Sequence, residues 1–525
     1  MALPAEAPRK DHGSPKPVRL RFNELEANEI IFAVVGPVGS GTSFVANALR
    51  GLVESNLHST NIVLIKASDI ISESLSPEAL SAIPKDNKLE RAMRFQDAGD
   101  NIRDGDEAKL ASLIASRIKA ERAKISTNIH KISDDEKEKT PPTVYIIDSL
   151  KHPTEVELLR GIYREAFCLI GVVCEEKTRK GRLEGKFKNS TPEKVSEFML
   201  RDEDEDLDHG QKVGETFHLA DFFVDNTPSR LTADEVENPE WIVNEKLGRL
   251  IDILSGTKII RPEASETGMF HAKGAQLKSS CLSRQVGASV MDARGTLIAT
   301  GTNEVPMAGG GLYGAGVGSL GNDIDEPDHR CFKTKQYCSN TKIQQEIISE
   351  IIEAIPELNA SLNKIEIRKT LKNSALGRLL EFSRAVHAEM DALLTAAREG
   401  NSTVGTKMFV TTYPCHYCAR HIVTAGVDEV QYIEPYPKSR ANELHKDAIQ
   451  VIAAGWLSPS RQRGSKVLFR PFTGVAPRLY RRAFMKDRKL KNSNSGAMEI
   501  GSPLWATGLL RESYTSIEIY LEEGS

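Results

Sequence analysis

Residues 386–418 read VHAEMDALLTAAREGNSTVGTKMFVTTYPCHYC, and their order of helix, strand and helix decides how the C-terminal half is built. Apolar residues at helical spacing run through 383–398, a strand-forming run occupies 407–411, and 416–425 returns to helical spacing. The two helices begin near His387-Ala388-Glu389 and Pro414-Cys415-His416-Tyr417-Cys418. Cys415 and Cys418 are three apart, so one helix face carries both sulfurs to a single ion. His387 adds an imidazole from the start of the other helix. Both helix N-termini face the ion, where their partial positive charge favours thiolate over thiol. Three protein ligands leave the fourth tetrahedral position of a zinc to water, as a catalytic site requires. Zinc lowers the pKa of such a water to about 7. Glu389 stands two residues past the histidine, beside that water but outside the ligand set, and is the candidate proton carrier. A structural zinc, or two buried cysteines, is the plainer alternative, but neither calls for a glutamate at that spacing. His416 and His421 read as ordinary helix residues.

Working outward, short strands at 286–291 and 296–301 flank a turn at 292–295. Downstream come a strand at 429–434, a helix at 441–453 and a strand at 466–469. This β-β-α-β-α-β-α-β order predicts a three-layer α/β/α sandwich. Residues 307–321 hold seven glycines and read as too loose for a packed element. The N-terminal half alternates differently. Strands at 29–35 (EIIFAVV), 61–66, 144–148, 168–174 and 222–225 are separated by helical or polar stretches, which predicts a parallel sheet with crossover helices. Residues 133–142 (SDDEKEKTPP) read as an exposed loop, and the acidic run 202–208 as a solvated face. The expected organisation is a loose arm over 1–22, a P-loop-like domain over 23–255, a second domain over 261–484 and a tail over 485–525. The arm has four prolines and no hydrophobic signal core.

Gly36-Pro37-Val38-Gly39-Ser40-Gly41-Thr42-Ser43 falls between a predicted strand and a predicted helix, the context of a phosphate-binding loop. Gly36, Gly39 and Gly41 would let backbone N–H groups approach a phosphate at the helix N-terminus. The lysine of that motif is replaced by Thr42, which removes the charge that reaches the outer phosphates. Ser43 and Asp148, the latter ending VYIID, are candidates to hold Mg²⁺. A strand-to-helix turn with no ligand is the alternative. Nucleotide binding is expected here; phosphoryl transfer is not.

Lys+Arg 69 against Asp+Glu 73 leaves −4, so no global basic field holds a polyanion. No apolar run near the start approaches the roughly 20 residues of a membrane span. Seven cysteines form an odd, sparse set that argues against a disulfide framework and for the reducing cytoplasm. Cys331 and Cys338, with His329 nearby, lack the short spacing of a zinc pair and read as free thiols. Residues 470–491 carry eight Lys/Arg against one Asp, which fits either RNA or substrate phosphates, or a solvated face. Phe472 and Tyr480 within it are candidates to close a pocket.

The pattern H-x-E…P-C-x-x-C is the signature of zinc deaminases that act on nucleobases. With Ser283–Gly287 (SRQVG), Gly301–Pro306 (GTNEVP), Thr412-Tyr413-Pro414 and Ile433–Ser439 (IEPYPKS), the chain resembles the deoxycytidylate branch of the cytidine and deoxycytidylate deaminase superfamily over about 261–484. That resemblance implies Glu389 as the catalytic residue and His387, Cys415 and Cys418 as zinc ligands. It further implies Asn303 on the sugar 3′-hydroxyl and backbone groups around Ala388 and Tyr413 on the pyrimidine edge. The fusion to a P-loop half resembles bacterial anti-phage dCTP deaminases. This second likeness implies conversion of dCTP and dCMP to dUTP and dUMP, an inhibitory RNA and a homo-oligomer, while the Gly-rich loop adds the expectation of a regulatory nucleotide. Two rivals are set aside: a deaminase of cytosine in RNA or single-stranded DNA, against which the near-neutral charge argues, and a bifunctional nucleotide kinase–deaminase, against which Thr42 argues. Arg94, Arg179 and Arg182 resemble the scattered arginines of nucleotide kinases and are assigned no role.

Overall fold

Seven consecutive buried residues, EIIFAVV, form strand β1 (Glu29–Val35). A strand buried along its whole length needs neighbours on both edges and cover on both faces. In the computed structural model, β1 lies between β3 (Thr143–Asp148) and β4 (Phe167–Val173), and β2 (Asn61–Lys66) adds to the far edge of β3, all parallel. The structure describes residues 25–57, 60–84, 86–132, 142–203, 210–314, 328–436, 439–486, 490–499, 505 and 509–523. Helix α1 (Thr42–Asn56) follows β1 and buries Val45, Ala46, Leu49 and Val53, one apolar stripe at helical spacing. The expected regions 1–22 and 133–141 lie outside the described residues, as do 204–208 of the acidic run. Asp202 itself is not on a solvated face. It ends helix Pro192–Glu203 with its side chain fully buried, because Lys151 and a backbone N–H hold it.

The chain divides into two compact units, the first comprising Met1–Ala220, Asn226–Ile259 and Lys486–Ser525. Where a separate tail was expected, helix Arg511–Glu523 is folded into this first unit. Tyr514 and Glu518 stand four apart on its buried face. Glu518 takes two hydrogen bonds from Arg122, at 2.6 and 3.2 Å, and one from the Tyr163 hydroxyl at 2.7 Å. Arg122 also donates to both oxygens of Glu29 at 3.0 Å, and the Tyr514 hydroxyl donates to Glu29 at 3.1 Å. One guanidinium thus bridges two buried carboxylates from opposite ends of the chain, with Arg511 3.8 Å from Glu29 as a second cation.

The second unit holds Asp221–Asp225 and Ile260–Met485. Strand β5 (Phe222–Asp225) is counted with this unit. It pairs antiparallel with β12 (Gly474–Val475). The main sheet runs β7-β6-β8-β9-β11-β10. Its strands are β6 (Gly287–Met291), β7 (Leu297–Thr302), β8 (Lys407–Thr412), β9 (Glu429–Glu434), β10 (Ile449–Gln450) and β11 (Val467–Pro471). The β6–β7 and β6–β8 pairs are antiparallel and the rest parallel. Helices α2 (Ala264–Gln276) and α3 (Ala388–Arg398) cover opposite faces, which two glycines reveal. A Cβ on Gly287 would stand 2.0 Å from Ala272 O in α2, and one on Gly301 would stand 2.1 Å from Ala388 O in α3. Gly301 is opposite Ala288, the residue after Gly287, so the two glycines point to opposite sides of the pleat.

The molecule is mixed α/β with two parallel-rich sheets, and no described helix is long and apolar enough to cross a membrane. Three local expectations change. The helix expected over 383–398 begins only at Ala388, because Val386 N donates to Glu304 O at 2.9 Å and keeps the preceding chain extended. The helix expected over 441–453 stops at Leu444, and the β-branched Ile449 instead pairs with Val467 in β10. Within the glycine-rich 307–321, residues 307–314 form an ordered turn closed by Met307 N to Gly311 O at 3.0 Å, with Leu312 buried. The remainder, 315–321, lies outside the described residues.

Arg122→Met would leave Glu518 buried without its counter-charge and Glu29 with only the longer, 3.8 Å contact to Arg511. It should destabilise the first unit by about 3–5 kcal/mol, read as a lowered urea midpoint.

Candidate metal and catalytic site

Two helices begin at one point in the second unit. His387 is the residue just before α3, with extended backbone at φ −77° and ψ 155°. Cys415 holds the same position before α4 (His416–Thr424), at φ −68° and ψ 165°. Extended geometry at the cap turns each side chain back over its helix start, so the donors converge. His387 Nδ1 lies 3.4 Å from Cys415 Sγ and 3.4 Å from Cys418 Sγ, and the three donor atoms all lie within 4.8 Å of one another. Zn–N near 2.1 Å and Zn–S near 2.3 Å at a tetrahedral angle place nitrogen and sulfur about 3.6 Å apart. The donor set and its spacing therefore fit zinc. Among the described residues this is the group able to hold a metal, and Cys331 and Cys338 do not join it.

The electrostatics are those of a site prepared for a cation. The Cys415 thiol is drawn down to about 4, first by its hydrogen bond with Cys418 and then by His387. Cys418, the donor in that bond, is pushed well up. The hydrogen bond to Cys415 raises His387 to about 9. A dication would take the place of the protons these groups share, because metal ligation requires thiolate and neutral imidazole. Glu389, in the first turn of α3, is 4% exposed. Burial, then the Cys415 charge, pushes its carboxyl up to about 7. A carboxyl near neutrality can both take and return a proton, and a neighbouring cation would favour its ionised form.

The surrounding residues hold this geometry. Ala388 is fully buried under Gly301, and the Asp391 carboxylate accepts Thr302 N–H at 3.0 Å, fixing α3 on β7. Glu304 is 3% exposed and takes hydrogen bonds from Ser280 and, at 2.9 Å, from its neighbour Val305. Its own carbonyl fixes Val386, one residue before His387. Asn303 sits at the end of β7, with Nδ2 donating to Arg284 O at 2.7 Å and Oδ1 accepting Val286 N–H at 2.6 Å. Its amide therefore shapes the SRQVG loop and keeps one donor hydrogen and one lone pair for any further partner. Tyr413 N donates to Glu434 O at 2.8 Å, so a pyrimidine contact from this residue would fall to its carbonyl. Ser439, from IEPYPKS, donates to Pro414 O at 2.7 Å and steadies the turn before Cys415. Sequence reading missed Glu304 and Asp391; an acidic residue directly after Asn303, within an apolar stretch, was the available signal. Phe472 and Tyr480 make ring contacts within the second unit. Phe472 packs edge-on against Phe223, and Tyr480 stacks on Phe270 with centroids 4.3 Å apart.

Gly39 and Gly41 have φ of 82° and 91°, which only glycine adopts without strain. A Cβ on Gly41 would stand 2.5 Å from Asn226 Nδ2, and one on Gly39 2.8 Å from Arg179 O, so protein atoms already fill the space those glycines leave. Thr42 opens α1, and Ser43 hydrogen-bonds Asp148, whose carboxyl burial pushes up. Gly39, Thr42, Ser43 and Asp148 line a cavity of about 390 Å³. Arg182 donates to Asn226 O at 2.8 Å, Arg179 pairs with Glu203 at 2.6 Å, and Arg94 lies 3.9 Å from Asp97.

A family model for the cytidine and deoxycytidylate deaminase zinc-binding region matches residues 262–434. The deoxycytidylate deaminase of Enterobacteria phage T4 is 30% identical over 167 residues, 31% of this chain and 74% of that protein. The corresponding enzyme of phage T2 is 30% identical over 166 residues, 31% of this chain and 76% of that protein. Among solved structures, the apo dCMP deaminase of cyanophage S-TIM5 is 18% identical, with a TM-score of 0.21 over 40% of this chain and 99% of that one.

Gly301→Ala would force α3 off β7, since the added carbon meets backbone rather than a movable side chain. The variant should lose thermal stability and, measured by metal analysis, hold less zinc than the parent chain.

Proposed function

Because the chain belongs to the deoxycytidylate deaminase family, we propose that it is a zinc-dependent hydrolytic deaminase of free deoxycytidine nucleotides. It converts dCTP or dCMP to dUTP or dUMP, with release of ammonia. The observation that carries this reading is the convergence of His387, Cys415 and Cys418 beside a buried Glu389. Zinc in this site supplies Lewis acidity and lowers the pKa of a water to about 7. Glu389 takes the proton as the water oxygen bonds to C4 of the cytosine. It would deliver that proton to ring N3 and then carry the second proton from the new C4 hydroxyl to the amino group, so that the C4–N bond breaks as ammonia leaves and a C4 carbonyl remains. Asn303 orients the sugar 3′-hydroxyl, and backbone groups at Ala388 and Tyr413 hold the pyrimidine edge. Burial of Glu389 excludes bulk water from the proton path.

The first unit is the regulatory half in this reading, a P-loop-like domain whose Gly36, Gly39, Gly41, Thr42 and Ser43 bind a nucleotide. Ser43 and Asp148 offer a hydroxyl and a carboxylate, the sparse protein contribution that Mg²⁺ takes when phosphates complete its shell. Control of the deaminase by that nucleotide and by an inhibitory RNA in the cytoplasm would let a homo-oligomer drain dCTP during phage infection. Deaminase assays on dCMP, dCTP and a cytosine-containing oligonucleotide, with and without cellular RNA, test these finer points. Activity confined to the oligonucleotide would overturn the substrate assignment.

Cys415→Ala should abolish both zinc retention and turnover. Glu389→Gln keeps the shape but cannot accept a proton, so zinc should stay while kcat falls about 10²–10⁴-fold. Deamination by a zinc-free preparation would sink the mechanism.

A further inference from the structure

We propose that Lys151 supplies the Gly-rich loop with the positive charge that Thr42 lacks, and that Asp202 is the internal anion which a nucleotide's phosphate displaces. The inference rests on reading this loop as phosphate-binding and names how the site works without its usual lysine. Lys151 follows β3 by three residues, and its Nζ lies 3.3 Å from Gly36 O and 2.7 Å from Asp202 Oδ1. The cation is thus tied to the first residue of the loop. Asp202 places its other oxygen 2.7 Å from Val38 N, accepting that N–H. A carboxylate therefore already occupies a loop N–H of the kind that phosphate oxygens use.

Two further observations point to a ligand. Val38, Lys151 and Asp202 all line the cavity of about 390 Å³, within the size range of small-molecule sites. Gln96 lines it too; it is 6% exposed, and its Oε1 has no hydrogen-bond partner. A buried carbonyl oxygen left unpaired costs free energy that a ligand N–H or O–H would recover. Phe95, Phe187 and Phe198 add aromatic wall, so the cavity suits a base as well as a phosphate. The ligand class is a nucleoside phosphate whose base or sugar offers a donor to Gln96.

The Asp202–Lys151 pair, with the carboxylate buried and the ammonium one-fifth exposed, is weak evidence of stability in itself, since desolvating the carboxylate offsets much of their attraction. It is well suited to exchange. A phosphate carries more charge than the carboxylate, can accept the Val38 N–H in its place, and keeps the ammonium partnered. Occupancy then depends on how strongly Asp202 competes.

Calorimetry on the full-length chain, with ATP, dTTP and tripolyphosphate as probes, tests this. D202N retains an acceptor for Val38 N–H but removes the competing charge, and should bind at least one of the probes about tenfold more tightly than the parent chain. K151Q/D202N replaces the pair with two amides able to bond each other, avoiding the unpaired buried carboxylate that K151Q alone would leave. It should lose the gain, for tripolyphosphate as well as for nucleotides. If the parent chain binds and the double variant binds as well as D202N, the role of Lys151 is wrong while the loop reading stands. If no probe binds any of the three proteins, with thermal melts showing each folded, the loop reading itself falls and takes this inference with it.

Discussion

The contact between the backbone of Ala388 and the bare Cα of Gly301 is the constraint on which the deaminase unit depends. With a side chain at 301, the carbonyl of Ala388 would be displaced and α3 would ride higher on the sheet. Seated as it is, the helix starts level with the end of β7, and three further attachments fix its height and rotation. Asp391 reaches back to Thr302 N–H, Glu304 holds Val386, and Ala392 packs beneath. His387 is then confined to one position, from which its ring meets the two thiols presented by α4. The opposite face repeats the device, because Gly287 lets α2 approach the same hairpin. A site needing tolerances of a few tenths of an ångström is thus carried by backbone-to-backbone packing rather than by adjustable side chains.

That rigidity explains how the unit tolerates so much buried polarity near one point. A thiolate, a second sulfur, an imidazole and a carboxyl lie together out of water, each perturbed by the others. Unpaired groups of this kind would cost several kcal/mol apiece. Here the protons they share, or a cation taking the place of those protons, satisfy them as a set. The same logic holds in the first unit, where Arg122 is the common partner of Glu29 and Glu518. Removing one member of either set exposes the cost of the rest.

The clustering of His387, Cys415 and Cys418 was legible in the sequence because their relation is largely local. Two cysteines three apart and a glutamate two beyond a histidine encode geometry through the helix repeat alone. The strands were legible for a similar reason: EIIFAVV and KMFVTT carry their burial in their composition. What stayed hidden depends on partners remote in the chain. Asp202 sits in an acidic run that composition assigns to solvent, yet Lys151, fifty-one residues earlier, draws it inside. Glu518 lies 396 residues from Arg122, so no window of sequence could show that the last helix belongs to the first unit. The helix expected over 441–453 is a different case: the short β-branched stretch at 449–452 fits an edge strand and a helix equally well until a neighbour claims it.

The two phosphate-loop readings, binding and transfer, separate on where the charge is anchored. A lysine within α1 would sit on the loop and move with whatever phosphate the loop holds. Lys151 instead comes from the segment after β3 and is held at Gly36 O on one side and Asp202 on the other. Phosphoryl transfer needs a cation positioned where charge develops on the transferring group, already oriented and free of competing contacts. An ammonium shared with a buried carboxylate meets the first need for binding an anion but not this one. Glycines packed against Arg179 O and Asn226 Nδ2 restrict the loop further, since it cannot tighten around a transition state without moving those neighbours. If the loop holds a nucleotide as proposed, this arrangement suits holding it better than turning it over, the property a sensor requires and a kinase cannot use.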